Sequence, residues 1–110
     1  MLDDHWKIQG ILMAIIFRSD VSITKGFEAW QKFVYANRKN LQEMGVSFLF
    51  AGTEKNNPSQ LISIIRFDNV KTVKKFITDI SLREASHKAG IIIESEVLTY
   101  IPNKEFINCS

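Results

Sequence analysis

The stretch that decides the fold begins Leu61-Ile-Ser-Ile-Ile-Arg-Phe-Asp-Asn69 and runs on to residue 101. An isoleucine-rich run of this length, followed at once by polar residues, is typical of a β-strand. Asp68-Asn69 then supplies a cap for a helix. The apolar residues of that helix recur at positions i, i+3, i+4 and i+7, which predicts one buried stripe: Val73, Phe76, Ile77 and Ile80.

The second part of this stretch predicts a broken helix and a long strand. Ser81 and Glu84 have capping-box spacing, so we expect a break near residues 79–81 and a restart at Ser81. The restarted helix runs to about residue 88, and Gly90 is expected to end it. Residues 91–101 are largely apolar and β-branched, and Pro102 closes the strand. Residues 61–101 therefore form a β-α-β unit.

The residues before position 61 repeat the same order. Residues 8–17 are almost continuously apolar and predict strand one, which Arg18-Ser19-Asp20 is expected to end. A long first helix follows, with Ser22 or Thr24 as its cap and Gly45 as its terminator. Residues 46–53 predict strand two, and the polar residues 54–60 predict a hairpin turn to strand three. The apolar stripe of the first helix consists of Phe27, Trp30, Phe33, Val34, Leu41 and Met44.

The order β-α-β-β-α-β predicts a ferredoxin-like α+β sandwich, a four-stranded antiparallel sheet with two helices on one face. We expect a single domain over residues 1–110, with its core at about 8–101 and terminal extensions at 1–7 and 102–110. A chain of 110 residues hides roughly 65% of its unfolded surface on folding, enough for a core without disulfide or metal staples.

Strands one and three are apolar on both faces, although helices cover only one face of the sheet. Ile11, Met13 and Ile15 lie on one side of strand one, and Leu12 and Ile16 lie on the other. An exposed apolar face of this size is larger than monomers usually tolerate. The pattern therefore predicts a homodimer whose two sheets meet face to face as an α+β barrel.

Charge and composition exclude several partners. Lys and Arg number 14 against 12 Asp and Glu, with no basic arm or acidic tail. The apolar run at residues 11–17 is far shorter than the ~20 residues of a membrane span. Strands one and three are aliphatic where an RNA-recognition domain needs stacking aromatics, so we expect no nucleic acid and no membrane partner. The acidic start and the single Cys109 favour the cytoplasm.

Two carboxylates on the last strand are the first candidates for a site. Glu94 and Glu96 are two residues apart, so regular alternation would place both, with Tyr100, on the face opposite Ile93 and Val97. That face is the predicted dimer side, where two close carboxylates would raise at least one pKa. Arg66 on strand three is the expected counter-ion across the barrel, and a structural ion pair is the alternative.

His87 completes the candidate ligand-binding set of Arg66, His87, Glu94, Glu96 and Tyr100. It is predicted to face away from the core, either as a general base or metal ligand at the cavity mouth or as a solvated surface histidine. The chain has no pair of cysteines, no HExxH, no GxSxG and no phosphate-binding glycine loop. We therefore expect no metal and no cofactor, and the sequence identifies no catalytic residue.

Four segments carry a resemblance to a known family: residues 27–30, 49–59, 73–79 and 93–100, reading FEAW, LFAGTEKNNPS, VKKFITD and IESEVLTY. With them the chain resembles the dimeric α+β barrel superfamily, and within it a small, mainly cyanobacterial family of unknown function. The resemblance implies the ferredoxin-like fold and the dimer, and it implies no activity. The haem-degrading branch is a poor match, because strand one lacks its Asn and strand three lacks its Trp.

Three functions remain open at the level of sequence. The first is a small dimeric barrel that binds a small apolar or aromatic molecule between its sheets. The second is a structural or regulatory dimerisation module without enzymatic activity. The third is a barrel enzyme similar to the superfamily's monooxygenases or isomerases. Whether space is left between the two sheets of the dimer decides between the first and the second.

Overall fold

The computed structural model describes residues 14–102, which form one antiparallel sheet and four short helices on one of its faces. The strand order is β2-β3-β1-β4, and every neighbouring pair is antiparallel. This is the predicted ferredoxin-like α+β fold, with each predicted helix divided in two. The elements are β1 (Ile15–Ile23), α1 (Phe27–Ala36), α2 (Arg38–Met44), β2 (Val46–Glu54), β3 (Asn57–Phe67), α3 (Val70–Thr78), α4 (Ile80–Lys88) and β4 (Ile91–Ile101).

Strand β1 lies further along the chain than predicted. Residues 8–13 of the predicted strand, like Trp6 and Cys109, lie outside the described residues. Arg18-Ser19-Asp20, expected to end the strand, lies in its middle. The prediction was wrong because a polar triplet fits a strand when its first and third residues share the solvent side. Here Arg18 and Asp20 form an ion pair of 3.0 Å, while Ser19 is buried.

The first predicted helix is divided at Asn37, where the side-chain amide donates a hydrogen bond of 2.8 Å to the Phe33 carbonyl. Gly45 ends α2 as predicted, with a φ of 93° that favours glycine. The expected caps were wrong. Ser22 belongs to β1, and the Thr24 hydroxyl donates 3.1 Å to the Gly90 carbonyl, so Gly26 stands at the start of α1.

The second predicted helix is broken where expected, although another residue caps its restart. Asn69 caps α3 as predicted, accepting from the Thr72 amide at 3.1 Å. Asp79, rather than Ser81, caps α4, because its carboxylate accepts from the Leu82 amide at 2.8 Å. The break also turns Ile80 out of the predicted apolar stripe, and its side chain is exposed.

The core lies between the sheet and the helices, in two adjoining clusters. Phe67 and Ile65 of β3 lie at the centre of one cluster, and Leu61 and Trp30 at the centre of the other. The predicted stripe of the first helix is confirmed at its deepest positions, since Trp30, Leu41 and Met44 are buried. Over residues 14–102, no helix is long and apolar enough to cross a membrane. We call the helix-covered side of the sheet the inner face and the other side the open face.

Candidate functional site

The alternation of side chains along β4 changes halfway, and this change builds the site. Ser22 of β1 pairs with Ile92, whereas Asp20, only two residues away, pairs with Val97. Strand β4 therefore carries extra residues here, a β-bulge. Before the bulge, Ile91 and Ile93 face the helices, and beyond it Glu96 and Leu98 do.

The bulge overturns the predicted faces of β4. Strict alternation placed Glu96 and Tyr100 beside Glu94, opposite Val97 and Ile101. Beyond the bulge the parity is reversed, so Val97 lies opposite Asp20 on the open face, and Tyr100 lies opposite Phe17 on the inner face. The prediction was wrong because the bulge inserts three extra residues in β4, and an odd number of extra residues moves every later side chain to the other face.

A cavity of about 350 Å³ lies between the inner face and the helices. Its wall is mostly apolar and includes four aromatic rings from α1, β2 and α3: Trp30, Phe33, Phe48 and Phe76. Five polar side chains also line it: Ser19, Ser63, Arg83, Ser86 and Glu96. A volume near the lower end of the ~300–1,000 Å³ range, an apolar wall and few polar groups are typical of small-molecule sites.

Two serines form the floor of this cavity at the centre of the sheet. Ser19 of β1 and Ser63 of β3 are direct cross-strand partners, and each is 2% exposed. Their neighbours on the same face are the larger side chains of Val21, Leu61 and Ile65. Serine is too small to fill the layer beneath the helices, so these two positions leave space for the cavity.

Glu96 is the acid of the cavity. Its carboxylate Oε2 accepts a hydrogen bond of 2.7 Å from the Ser19 hydroxyl. Burial raises the pKa of the Glu96 carboxyl above its ordinary value, while the hydrogen bond from Ser19 and the positive charge of Arg83 pull it back. Arg83 itself lies at the exposed side of the cavity wall, where its guanidinium donates to the Ile77 carbonyl at 3.2 Å. A carboxyl group with a raised pKa keeps its proton to higher pH than an ordinary glutamate does, and it is a stronger base once ionised.

Glu96 is the only member of the predicted site set that lines the cavity. Arg66 lies on the open face and forms an ion pair of 2.9 Å with Asp68. Glu94 and His87 are exposed. Tyr100 is exposed too, and its ring packs at 5.6 Å from that of Phe17. The structure therefore separates Arg66 from Glu96 by the thickness of the sheet and brings none of the other four to the cavity.

The sequence contained one usable signal for the residues that reasoning missed. Ser63 shares its strand face with Leu61, Ile65 and Phe67, so a small polar residue stood in a core position. Ser19 offered no such signal, because the predicted strand ended before it. Arg83 and Ser86 reach the cavity through the position of α4 in the tertiary structure.

A second, more open groove of about 530 Å³ runs along the edge strand β2 beside α1. Its floor includes Trp30 and Phe48, and its rim carries the exposed Leu49 and Phe50. No acidic residue and no histidine lines it. The inner cavity is therefore the better candidate site. In the part of the chain that the structure describes, no group of three or more His, Cys, Asp or Glu side chains could hold a metal ion.

No model of a protein family matches this chain, and no curated protein sequence is similar to it. Solved structures match its fold. A Caulobacter crescentus protein provisionally assigned as an antibiotic biosynthesis monooxygenase is 11% identical, with a TM-score of 0.62 over 92% of this chain and 99% of that one. A Deinococcus radiodurans protein with the same provisional assignment is 15% identical, with a TM-score of 0.58 over 87% and 98% of the two chains.

A third neighbour has no assigned activity. It is a Rhodopseudomonas palustris protein of unknown function, 16% identical, with a TM-score of 0.57 over 94% of this chain and 93% of that one. At such identities the likeness establishes a shared ferredoxin-like α+β fold and nothing about activity.

Proposed function

We propose that this protein binds a small, largely aromatic or apolar molecule in the inner cavity, with Glu96 as the group that recognises the polar end of the ligand. The observation that carries the proposal is the hydrogen-bonded pair of Glu96 and Ser19 at 2.7 Å inside an apolar cavity. The location differs from the sequence-based hypothesis, which placed the ligand between the sheets of two protomers.

The chemistry of the cavity favours a ligand with a hydrogen-bond donor. An ionised carboxylate accepts hydrogen bonds only, and the one group of residues 14–102 that donates to Glu96 is the Ser19 hydroxyl. A carboxylate removed from water is stabilised when a ligand donates hydrogen bonds to its remaining lone pairs. The aromatic rings of Trp30, Phe33 and Phe48 offer flat apolar contacts to the rest of the ligand.

The test measures the binding of two probes, 1-naphthol and naphthalene, by fluorescence titration. We expect 1-naphthol to bind more tightly because its hydroxyl donates to Glu96, and Glu96→Gln to reduce that preference. Ser63→Leu fills the floor of the cavity and should abolish binding of both probes. Ser47→Leu, which adds the same side chain on the open face, should leave binding unchanged. Equal affinity of wild type and Ser63→Leu would rule out the cavity as the site.

A second candidate function is enzymatic, and the raised pKa of Glu96 favours it. A carboxylate that lines the cavity and has a raised pKa can act as a general base on a bound ligand. The provisional assignment of the Caulobacter crescentus neighbour as a monooxygenase suggests oxygen as the second substrate. Oxygen uptake with 1-naphthol that disappears in Glu96→Gln would support this function. Binding without uptake in the wild type would leave a binding protein.

We also propose that the protein is a homodimer through its open face, as the dimeric α+β barrel resemblance implies. The support is the exposed apolar side chains there, among them Phe50, Ile92, Val97 and Ile101. Sedimentation equilibrium should give twice the 12.6 kDa chain mass, and Val97→Glu should return it to 12.6 kDa. A 12.6 kDa species for the wild type at micromolar concentration would exclude the dimer.

The open alternative is a dimerisation module without a ligand. It predicts the same sedimentation result and no response to either probe, so the two experiments together separate it from the binding protein. The mainly cyanobacterial family and the cytoplasmic location remain predictions from the sequence.

A further inference from the structure

The bulge in β4 is held by a single side chain. The Ser22 backbone amide, which in a regular ladder would donate to a backbone carbonyl, donates instead to the Ser95 hydroxyl at 2.9 Å. The same hydroxyl donates to the Ile92 carbonyl at 2.7 Å. Ser95 thus supplies one acceptor and one donor to backbone groups that the bulge would otherwise leave unpaired.

The direction of Glu96 depends on this bulge. Ile93 lines the cavity, so in a regular strand Glu94 and Glu96 would both project from the open face. The extra residues lie in the segment between Ile92 and Val97, and this bulge leaves Glu94 exposed while Glu96 faces Ser19 across the cavity floor. Two carboxylates that a regular strand would place side by side are thus separated, Glu96 lining the cavity and Glu94 exposed at the surface.

We propose that Ser95 is a positioning residue for the cavity: by holding the β4 bulge, its hydroxyl aims the Glu96 carboxylate at Ser19 and at the ligand. The inference rests on the proposed function only for the ligand. The placement of Glu96 is a property of the free protein and can be tested without one.

The environment of Glu96 makes its own titration a reporter of that placement. From β1 it faces the Ser19 hydroxyl, and from α4 it faces the charge of Arg83. No other charged residue lines the cavity among residues 14–102. Burial is the dominant influence on its pKa, so release of the side chain to the open face would lower the pKa towards that of an exposed glutamate.

The experiment is a carboxyl carbon-13 NMR titration of the full chain without ligand. In the wild type we expect Glu96 to titrate above the ordinary range of a glutamate, because its carboxyl is buried. In Ser95→Ala the Glu96 midpoint should fall towards that ordinary range, and Ser95→Thr, which keeps the hydroxyl, should restore the raised midpoint. Ser47→Ala, a serine of the open face of β2, should leave the Glu96 midpoint unchanged.

An unchanged Glu96 midpoint in folded Ser95→Ala would overturn the proposal. If Ser95→Ala does not fold, Ser95→Cys, which keeps the shape and weakens both hydrogen bonds, gives the same test, with an intermediate midpoint expected and an unchanged one contradicting us. The probe titrations are read separately. If Glu96→Gln binds 1-naphthol as the wild type does, the proposed recognition of the ligand fails while the role of Ser95 in placing Glu96 stands.

Discussion

The two faces of the sheet differ in how their charged side chains are paired. On the open face, Arg18 pairs with Asp20 on the same strand, and Arg66 of β3 pairs with Asp68, which follows that strand. Each of these charges has a partner two residues away. On the inner face, Glu96 accepts a hydrogen bond from the Ser19 hydroxyl, and no Lys or Arg of residues 14–102 forms an ion pair with it.

This contrast between paired and unpaired charges indicates which polar group is available to a ligand. An exposed charge that is already paired with a nearby residue contributes little to stability and gains little from a ligand. A partly buried carboxylate without a paired cation has lost part of its hydration. A hydrogen-bond donor on a ligand can compensate for that loss. In the sequence, charge alone did not distinguish Glu96 from the paired residues. In the structure, the face of the sheet on which each residue lies distinguishes them.

The largest expected effect contrasts Ile65 with its neighbour Ile64. Ile65 is 1% exposed on the inner face, so Ile65→Ala should reduce the free energy of unfolding by roughly 2–5 kcal/mol. Ile64 lies on the open face and is only half-buried in one protomer, so Ile64→Ala should cost less. Urea unfolding monitored by circular dichroism measures both.

Protein concentration provides the control for this pair. The cost of Ile65→Ala should not depend on concentration, because its contacts lie within one protomer. The cost of Ile64→Ala should increase at high concentration if the open face is a dimer interface. Equal costs for the two variants at every concentration would contradict the division of the sheet into two different faces.

An intermediate effect concerns pH. Because burial raises the pKa of Glu96 in the folded state, the folded chain binds this proton more tightly than the unfolded chain does. Its contribution to stability is therefore complete below the ordinary value of 4.5 and is lost as pH rises through the raised pKa. Glu96→Gln should remove this loss and gain stability relative to the wild type as pH rises, by more than ~0.5 kcal/mol.

Glu94→Gln is the matched control for the pH experiment. Glu94 is exposed on the same strand, so its substitution should stay within about 0.5 kcal/mol of the wild type at each pH. Urea unfolding at pH 4, 6 and 8 compares the three proteins. A wild-type pH dependence that persists in Glu96→Gln would place its origin elsewhere.

The smallest expected effect is that of the open-face ion pairs. Arg66→Ala removes the 2.9 Å contact with Asp68, and because both groups are solvated the unfolding free energy should change by less than ~1 kcal/mol. The same change in 1 M salt should be smaller still, because salt screens exposed charges. A cost above 2 kcal/mol would show that Arg66 has a partner beyond its own protomer.

Much of the fold could be predicted from the sequence because it depends on local periodicity. The order of strands and helices along the chain, the caps at Asn69 and Gly45 and the limits of β4 follow from alternation, helical spacing and the conformational freedom of glycine. The predicted apolar stripe of α3 held at Val73 and Phe76, whereas Ile77 and Ile80 are exposed. Each of these signals spans only a few residues.

The residues of the site, in contrast, are brought together only by the pairing of strands in the tertiary structure. Whether Ser19 belongs to a strand, and which face Glu96 occupies, depend on pairing with residues about 75 positions away, through the register of β1 and β4. A bulge of this kind leaves no mark in a hydrophobicity pattern, because an unpaired serine resembles any other polar residue of a half-exposed strand. The sequence by itself determined the layers of this protein, and the register between its strands determined which of two glutamates lies inside.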